Sequence, residues 1–301
     1  MSFGRLGHVA AKSWPELCES AQFRLRQALS RIPYLPVPIR LTLPENQEIE
    51  FWWSRVVPYY SSERSFLDYW GQDGGDLRFL WRTLAPGMTF LDIGAHQGIF
   101  SVVAAAKLAR CGRVIAFEPS PLQNNRLALH FRWNGLRAPE SRVERLALGA
   151  HCGEHRFFEV EHGDTSRNGL RAPQTGDAVH EIATTVMTLD RYAESREISR
   201  MDVVKIDVEG GELDLLRGAS ASLLRHRPIL ICELLDAATA PWGYPAREIA
   251  SAVTEFKYEW FDVNNEGRLS AHRVQTEYPV VRNYVALPSE RCASVLRAHS
   301  A

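Results

Sequence analysis

The sequence predicts an α/β fold, an open and mainly parallel sheet with helices on both faces. Three observations carry that expectation. From residue 88 onward, short apolar runs alternate with helical stretches, the trace left by successive strand–helix–strand units. The runs are apolar almost without interruption, as in 88–93, which suits strands covered on both faces. The first run also passes directly into a glycine turn, FLDIGAHQGIFS at 90–101, the shape of a strand end that meets a nucleotide-like ligand.

Taken in order, the chain begins with an extension, residues 1–64. Leu17, Ala21, Leu25, Ala28, Leu29 and Ile32 fall at helical spacing over 14–31, with Arg24, Arg26 and Arg31 elsewhere on the surface. This amphipathic helix is expected to pack on the domain; a homo-oligomer contact or a lid is the sharper alternative. Pro33, Pro36, Pro38 and Pro44 forbid helix in the next segment. A hairpin is expected there, pairing 39–43 with 48–52. Residues 51–81 are rich in aromatics, fit for a core or for stacking on a sugar or ring. A helix is predicted over 76–84.

The sheet then follows. Strands are expected at 88–93 and 114–118, with a helix to residue 110 between them. Ser120-Pro121 opens a helix in the favoured order, cap residue then proline. Further strands are expected at 143–148, 155–160, 182–189, 202–207 and 228–234, and helices over 211–225 and 245–256. Strands 258–263 and 283–287 should close the sheet as an antiparallel pair. The polar stretch 161–177 is a loop of the kind that carries specificity, basic at Arg167 and Arg171.

Bulk properties exclude several classes. The composition, 45% hydrophobic and 24% charged, is that of a globular chain long enough to bury a large core. A net charge of −1 gives no global attraction for nucleic acid, and no nucleic-acid partner is expected. No apolar run is long enough to span a bilayer. No signal peptide is evident in the first residues, and the five scattered cysteines read as reduced thiols. The expectation is a cytoplasmic protein.

The chemistry concentrates at three strand ends. A dinucleotide fingerprint would read GxGxxG; here only Gly94 and Gly98 are present, behind Asp92. An acidic residue suits a pyrophosphate poorly and an ammonium-bearing ligand without phosphate well, and S-adenosylmethionine has both features. A plain strand–helix turn would show the same glycines. Glu118, 26 residues beyond Asp92, ends the next strand. It could accept both ribose hydroxyls of an adenosine, or simply favour the following helix N-terminus. In KIDVEGGELDLLRGA, at 205–219, Asp207 and Glu209 crowd a third strand end. A carboxylate there could take a proton from an attacking hydroxyl; Lys205 could equally pair with it internally, and Glu212 reads as a helix N-terminal residue. Asp207, Glu209 and Glu233 could together hold Mg²⁺, although no spacing demands a metal.

These segments, FLDIGAHQGIFS, VIAFEPSP, LALGAHCGE, TTVMTLDRY, VVKIDVEGGELDLLRGA and RPILICEL, occur in this order at suitable intervals. Together they closely resemble the FkbM family of S-adenosylmethionine-dependent methyltransferases, over about residues 65–290 of a domain running 65–301. The resemblance implies a class I, Rossmann-like fold: a seven-stranded, mainly parallel sheet closed by an antiparallel hairpin. It implies that Asp92, Gly94, Ala95 and Gly98 line the methionine side of the cofactor. Glu118 would hold the ribose, Pro119 would shape the adenine pocket and Leu148 would face the adenine. Asp207 and Glu209 would sit beside the methyl acceptor. The familiar first motif often has asparagine where this chain has His96, a residue placed to touch the cofactor.

The expected activity is O-methylation of a small-molecule or glycan acceptor, a carbohydrate or natural product, with Asp207 helping to remove the proton. Methyl transfer to nitrogen or to RNA is the alternative, and the absence of a basic stripe argues against RNA. The missing third glycine disfavours a dehydrogenase. A catalytically degenerate nucleoside-binding module would need a lost cofactor site.

Overall fold

The computed structural model describes residues 36–42, 48–54, 74–108, 111–136, 141–161, 164–174 and 176–298. The helix expected over 14–31, and the aromatic stretch between 55 and 73, lie outside the described residues, as does the domain boundary at 64. The expected hairpin is present and longer than expected: β1 (Pro36–Thr42) pairs antiparallel with β2 (Glu48–Ser54), Ile39 opposite Phe51. A first helix, α1 (Gly75–Thr83), has Asp76 in its first turn and Arg82 in its last, signs that suit the helix dipole.

The main sheet begins with β3 (Thr89–Ile93), followed by α2 (Ile99–Leu108), β4 (Arg113–Phe117), α3 (Pro121–Trp133) and β5 (Ser141–Glu144). Ser120 caps α3 as expected, its side chain accepting from the Gln123 amide, with Pro121 at the first helical position. The chain then builds a small side sheet from β6 (Ala147–Leu148), β7 (Gly153–Val160) and β8 (Val179–Met187), in the order β6-β8-β7. After α4 (Leu189–Ser195) it returns to the main sheet with β9 (Val203–Ile206). There follow α5 (Glu212–Arg217), α6 (Ser220–His226), β10 (Ile229–Glu233), α7 (Asp236–Thr239), α8 (Arg247–Glu255), β11 (Tyr258–Val263), β12 (Leu269–Ala271), β13 (Asn283–Pro288) and α9 (Cys292–Ala298).

The order across the main sheet is β12-β11-β13-β10-β9-β3-β4-β5. Strands β10 to β5 are parallel; β13 inserts antiparallel between β10 and β11. Among the described residues the count is eight, not seven, because the three-residue β12 pairs with the outer edge of β11. Strand order reverses between β3 and β9, which opens a crevice over their C-terminal ends. Strand alternation sorts the core into two layers: Phe90, Val114 and Val203 pack on one face, and Leu91, Ile115 and Val204 on the other. No helix among the described residues is long and apolar enough to cross a membrane.

Two expected elements are broken. The strand expected at 143–148 divides: Ser141–Glu144 stays at the main-sheet edge, while Ala147–Leu148 leaves it to pair with β8. The helix expected over 211–225 stops at Gly218, whose carbonyl accepts from the Asp190 amide. The Asp190 carboxylate then accepts from the Ala221 and Ser222 amides (2.9 and 2.7 Å), capping the start of α6 from another helix. Such a distant cap leaves no local signal.

Leu91 is fully buried at the centre of the sheet and Leu122 is largely exposed. Leu91→Ala should lower unfolding free energy by about 2–5 kcal/mol in urea titrations, whereas Leu122→Ala should stay within about 0.5 kcal/mol.

Candidate active site

The site is built on the turn between β3 and α2. The Gly94 and Ala95 amides both donate to the Phe117 carbonyl (3.1 and 2.9 Å), tying the turn to the end of β4. Gly94 has φ +77°, and a Cβ there would lie 1.7 Å from the Asp207 carbonyl oxygen, so no side chain fits. Gly98 has φ +89°, and a Cβ there would meet the end of the Leu127 side chain of α3 at 2.1 Å. His96 is also left-handed, at φ 49°. Asparagine, aspartate and histidine tolerate this conformation best, which explains how histidine takes the place usual for asparagine. Its ring Nε2 shares a 3.0 Å hydrogen bond with Thr165 Oγ1, latching the 161–177 loop onto the glycine turn. Burial, with the nearby Arg126 charge, lowers the His96 pKa to about 4, so the ring is neutral at physiological pH.

The first acidic strand end departs from expectation. Asp92 is only 1% exposed and is not among the residues that line the cavity. Alternation along β3 turns it toward α2, where Oδ2 accepts from Ser101 Oγ (2.6 Å) and Oδ1 has no hydrogen-bond partner among the described residues. Burial raises its pKa against the pull of Lys205. Asp92 thus lies beneath the turn rather than on the cavity wall.

Glu118 does line the cavity, 5% exposed. Oε1 accepts from the Ser120 amide (2.9 Å) and Oε2 from the His96 amide (2.8 Å). Each oxygen keeps a lone pair for a further donor. Burial pushes its pKa up to about 7, the two amides pulling the other way.

The third strand end gathers most of the charge. Lys205, 4% exposed, donates from Nζ to Asp207 Oδ2 at 2.8 Å, the internal pairing that the sequence allowed. Burial alone would lower the lysine pKa; the charges of Asp207 and Asp92 outweigh it and hold the ammonium above its ordinary value. Beyond Asp207 the chain turns through Glu209 (φ 54°) and Gly210 (φ +89°). Glu212, expected to be a plain helix N-terminal residue, is buried and spans this turn: Oε1 accepts from the Val208 and Gly210 amides (2.9 and 3.3 Å). From outside, Trp242 Nε1 donates to the Glu209 carbonyl (3.1 Å) and the Tyr244 hydroxyl donates to the Gly210 carbonyl. Asp207, Glu209 and Glu233 each offer an oxygen within 4.8 Å of the other two. Burial, then the Asp207 charge, holds the Glu209 and Glu233 carboxyls well above the usual carboxylate range.

His96, Glu118, Lys205, Asp207, Glu209 and Glu233 share one cavity of about 570 Å³, the size of a small-ligand site. One end is apolar, walled by Phe117, Pro119, Leu146, Leu148 and Phe157. Gly94, Ala95, His96, Gly98 and Glu118 line the middle, and Asp207, Glu209 and Glu233 the other end. Thr165, Asn168 and Leu170 bring the 161–177 loop over it. Sequence reasoning missed Thr165, Asp76 and Asn283. Asn283 Nδ2 donates to Asp76 Oδ2 (2.6 Å) across 207 residues of chain, a pairing with no local signature.

A parallel sheet that reverses at β3/β9, with β13 inserted antiparallel beside β10, is the class I, Rossmann-like methyltransferase arrangement, and the cavity lies at its switch point. Comparison with known proteins agrees. The family model for the methyltransferase FkbM domain matches residues 92–260, more than half of the chain, and the chain belongs to this family of S-adenosylmethionine-dependent methyltransferases. Hexuronic acid methyltransferase AglP of Haloferax volcanii is 32% identical over 135 residues, covering 44% of this chain and 50% of that one. AMB antimetabolite synthetase AmbE of Pseudomonas aeruginosa is 28% identical over 193 residues, covering 52% of this chain and 9% of that one. The chain therefore spans half the length of the first relative and a small part of the second. The crystal structure of methyltransferase FkbM from Methylobacillus flagellatus aligns with a TM-score of 0.43 at 15% identity, over 67% of this chain and 43% of that one.

His96→Val should lower stability by about 1–2 kcal/mol, because a β-branched residue resists the left-handed backbone. His96→Asn should lose clearly less in the same chemical denaturation. Equal losses would show that backbone conformation does not select the residue.

Proposed function

We propose that this chain transfers the methyl group of S-adenosylmethionine to a hydroxyl of a carbohydrate acceptor. The observation that carries the reading is the layout of the cavity. An apolar slot and the Glu118 carboxylate stand on one side of the turn that begins at Gly94, and the Asp207 carboxylate on the other. The carbohydrate class is supported by the likeness to a hexuronic acid methyltransferase. All four described cysteines are unpaired, which supports a reducing, cytoplasmic setting.

The residues fit the donor. Gly94 leaves a cradle that a Cβ would fill, suited to the amino-acid end of the ligand. Glu118 has free lone pairs for ribose hydroxyls, with Pro119 and Leu148 against the adenine. Ala95, His96 and Gly98 complete the wall, and Asp92 acts from below by bracing Ser101 at the start of α2. When bound, S-adenosylmethionine supplies a methyl group activated by its sulfonium.

The protein's part is alignment and proton handling. Asp207 is anchored through Oδ2 by Lys205, and Oδ1 has no hydrogen bond among the described residues. That oxygen is the base for the acceptor hydroxyl. Glu209, fixed by the left-handed turn, flanks the acceptor, and the oxygen ligands here are also compatible with Mg²⁺.

Asp207→Asn should cut kcat by about 10²–10⁴-fold, the worth of a positioned base, while S-adenosylhomocysteine still binds. Mass spectrometry of a hydroxylated sugar panel reads the product; wild-type rates in the variant would remove Asp207 from the mechanism. A second prediction concerns pH. Glu118 is protonated below about 7 and then loses acceptor capacity toward the ribose. Affinity for S-adenosylhomocysteine should therefore rise as pH increases through about 7, and Glu118→Gln should weaken binding and flatten that rise in calorimetry.

A further inference from the structure

We propose that Trp242 is a positioning residue for the methyl acceptor, supporting from behind the two backbone segments that wall the acceptor end of the cavity; the inference rests on the methyltransferase reading. One segment is the turn after β9, where Val208, Glu209 and Gly211 line the cavity. The other is the stretch 168–170 of the 161–177 loop. Trp242 does not line the cavity itself, yet it engages both.

The turn holds a glutamate in the left-handed region, Glu209 at φ 54°. A residue with a side chain keeps that conformation only where its surroundings over-determine it. Here the restraint comes from two sides. Glu212 takes the Val208 and Gly210 amides. Trp242 Nε1 donates to the Glu209 carbonyl at 3.1 Å, and the Tyr244 hydroxyl donates to the Gly210 carbonyl. The indole also lies against the two glycines: a Cβ on Gly210 would stand 2.7 Å from its Cδ1, and one on Gly211 3.0 Å from its Cζ2. On the second segment, the Arg171 guanidinium carbon sits 4.9 Å from the Trp242 ring centroid, a cation–π contact. Gly169 packs beside Glu209, where an added Cβ would lie 3.5 Å from Glu209 Cβ. Trp242 is itself anchored. It ends a single 3-10 turn in the stretch after β10, and the Asp236 carboxylate fastens the base of that stretch by accepting from the Ala246 and Tyr278 amides. The hydrogen bond and ring contacts of Trp242 among the described residues all fall at the acceptor end, none on the glycine turn or Glu118. Its loss should therefore be felt by the acceptor and not by the methyl donor.

Two variants of the full-length protein separate the contacts. Trp242→Phe keeps a ring against the glycines and beneath Arg171 but loses the N–H donor; Trp242→Ala loses both. Thermal unfolding checks that each folds, and where Trp242→Ala does not, Trp242→Phe carries every readout. The acceptor is the member of a hydroxylated sugar panel that the wild type methylates fastest. Its kcat/KM should fall about three- to tenfold in Trp242→Phe, the worth of one hydrogen bond, and further in Trp242→Ala, while the Kd for S-adenosylhomocysteine stays within about twofold in both. Hydrogen exchange followed by mass spectrometry should quicken at 164–171 and 207–213. Wild-type kcat/KM in the folded variants overturns the proposal. So does a loss of S-adenosylhomocysteine binding as large as the loss toward the sugar, the mark of a general structural role. If the wild type binds no S-adenosylhomocysteine or methylates no sugar, it is the donor or the carbohydrate reading that fails. Exchange alone then decides: quickening at both segments upholds Trp242 as their support, and unchanged exchange overturns it.

Discussion

The site depends on the close approach of two backbone segments at the strand switch point. The Asp207 amide donates to the Ile93 carbonyl (3.1 Å), and the Asp207 carbonyl lies where a side chain on residue 94 would have to stand. Because position 94 is glycine, the ends of β3 and β9 can close on each other. That closure aims the glycine turn toward Glu118 and the Asp207–Gly211 turn toward β10. Separate the two segments and the nucleoside half and the acceptor half no longer share a cavity.

Charge is the second constraint. Asp92, Asp207, Glu209 and Glu233 lie around the ammonium of Lys205, Glu212 lies beside Asp207, and burial opposes ionisation of several of them. The fold stabilises some through hydrogen bonds: Glu212 by two amides, Asp92 by Ser101, Asp207 by Lys205. Glu209 and Glu233 are left to the cavity. A site that gathers polar carboxyl groups at one end, and an apolar slot at the other, is shaped for a ligand that differs in the same way along its length.

Much of this was legible in the sequence, because strands covered on both faces and glycines at strand ends are local signals. The alternation after residue 88, the Ser120-Pro121 helix start and the acidic ends at Glu118 and Asp207 all lie in single stretches of chain. For Asp92 the sequence points to a cavity wall through its proximity to the turn, whereas alternation along β3 sends its side chain to Ser101. The position of Glu212 reads as a helix start, and its contacts run backward into the turn it stabilises, which no local pattern shows. The His96–Thr165 latch and the Asp76–Asn283 pair join segments far apart in sequence, and nothing in either segment announces the other. The split of the 211–225 helix has the same origin, a cap donated by α4.

The central claim, that the glycine turn and Glu118 hold a sulfonium amino-acid nucleoside and not a dinucleotide, is tested most directly by calorimetric titration of the full-length protein with S-adenosylhomocysteine and with NAD. The account predicts saturable one-to-one binding of S-adenosylhomocysteine and no binding of NAD. Binding of NAD with no heat from S-adenosylhomocysteine would contradict it.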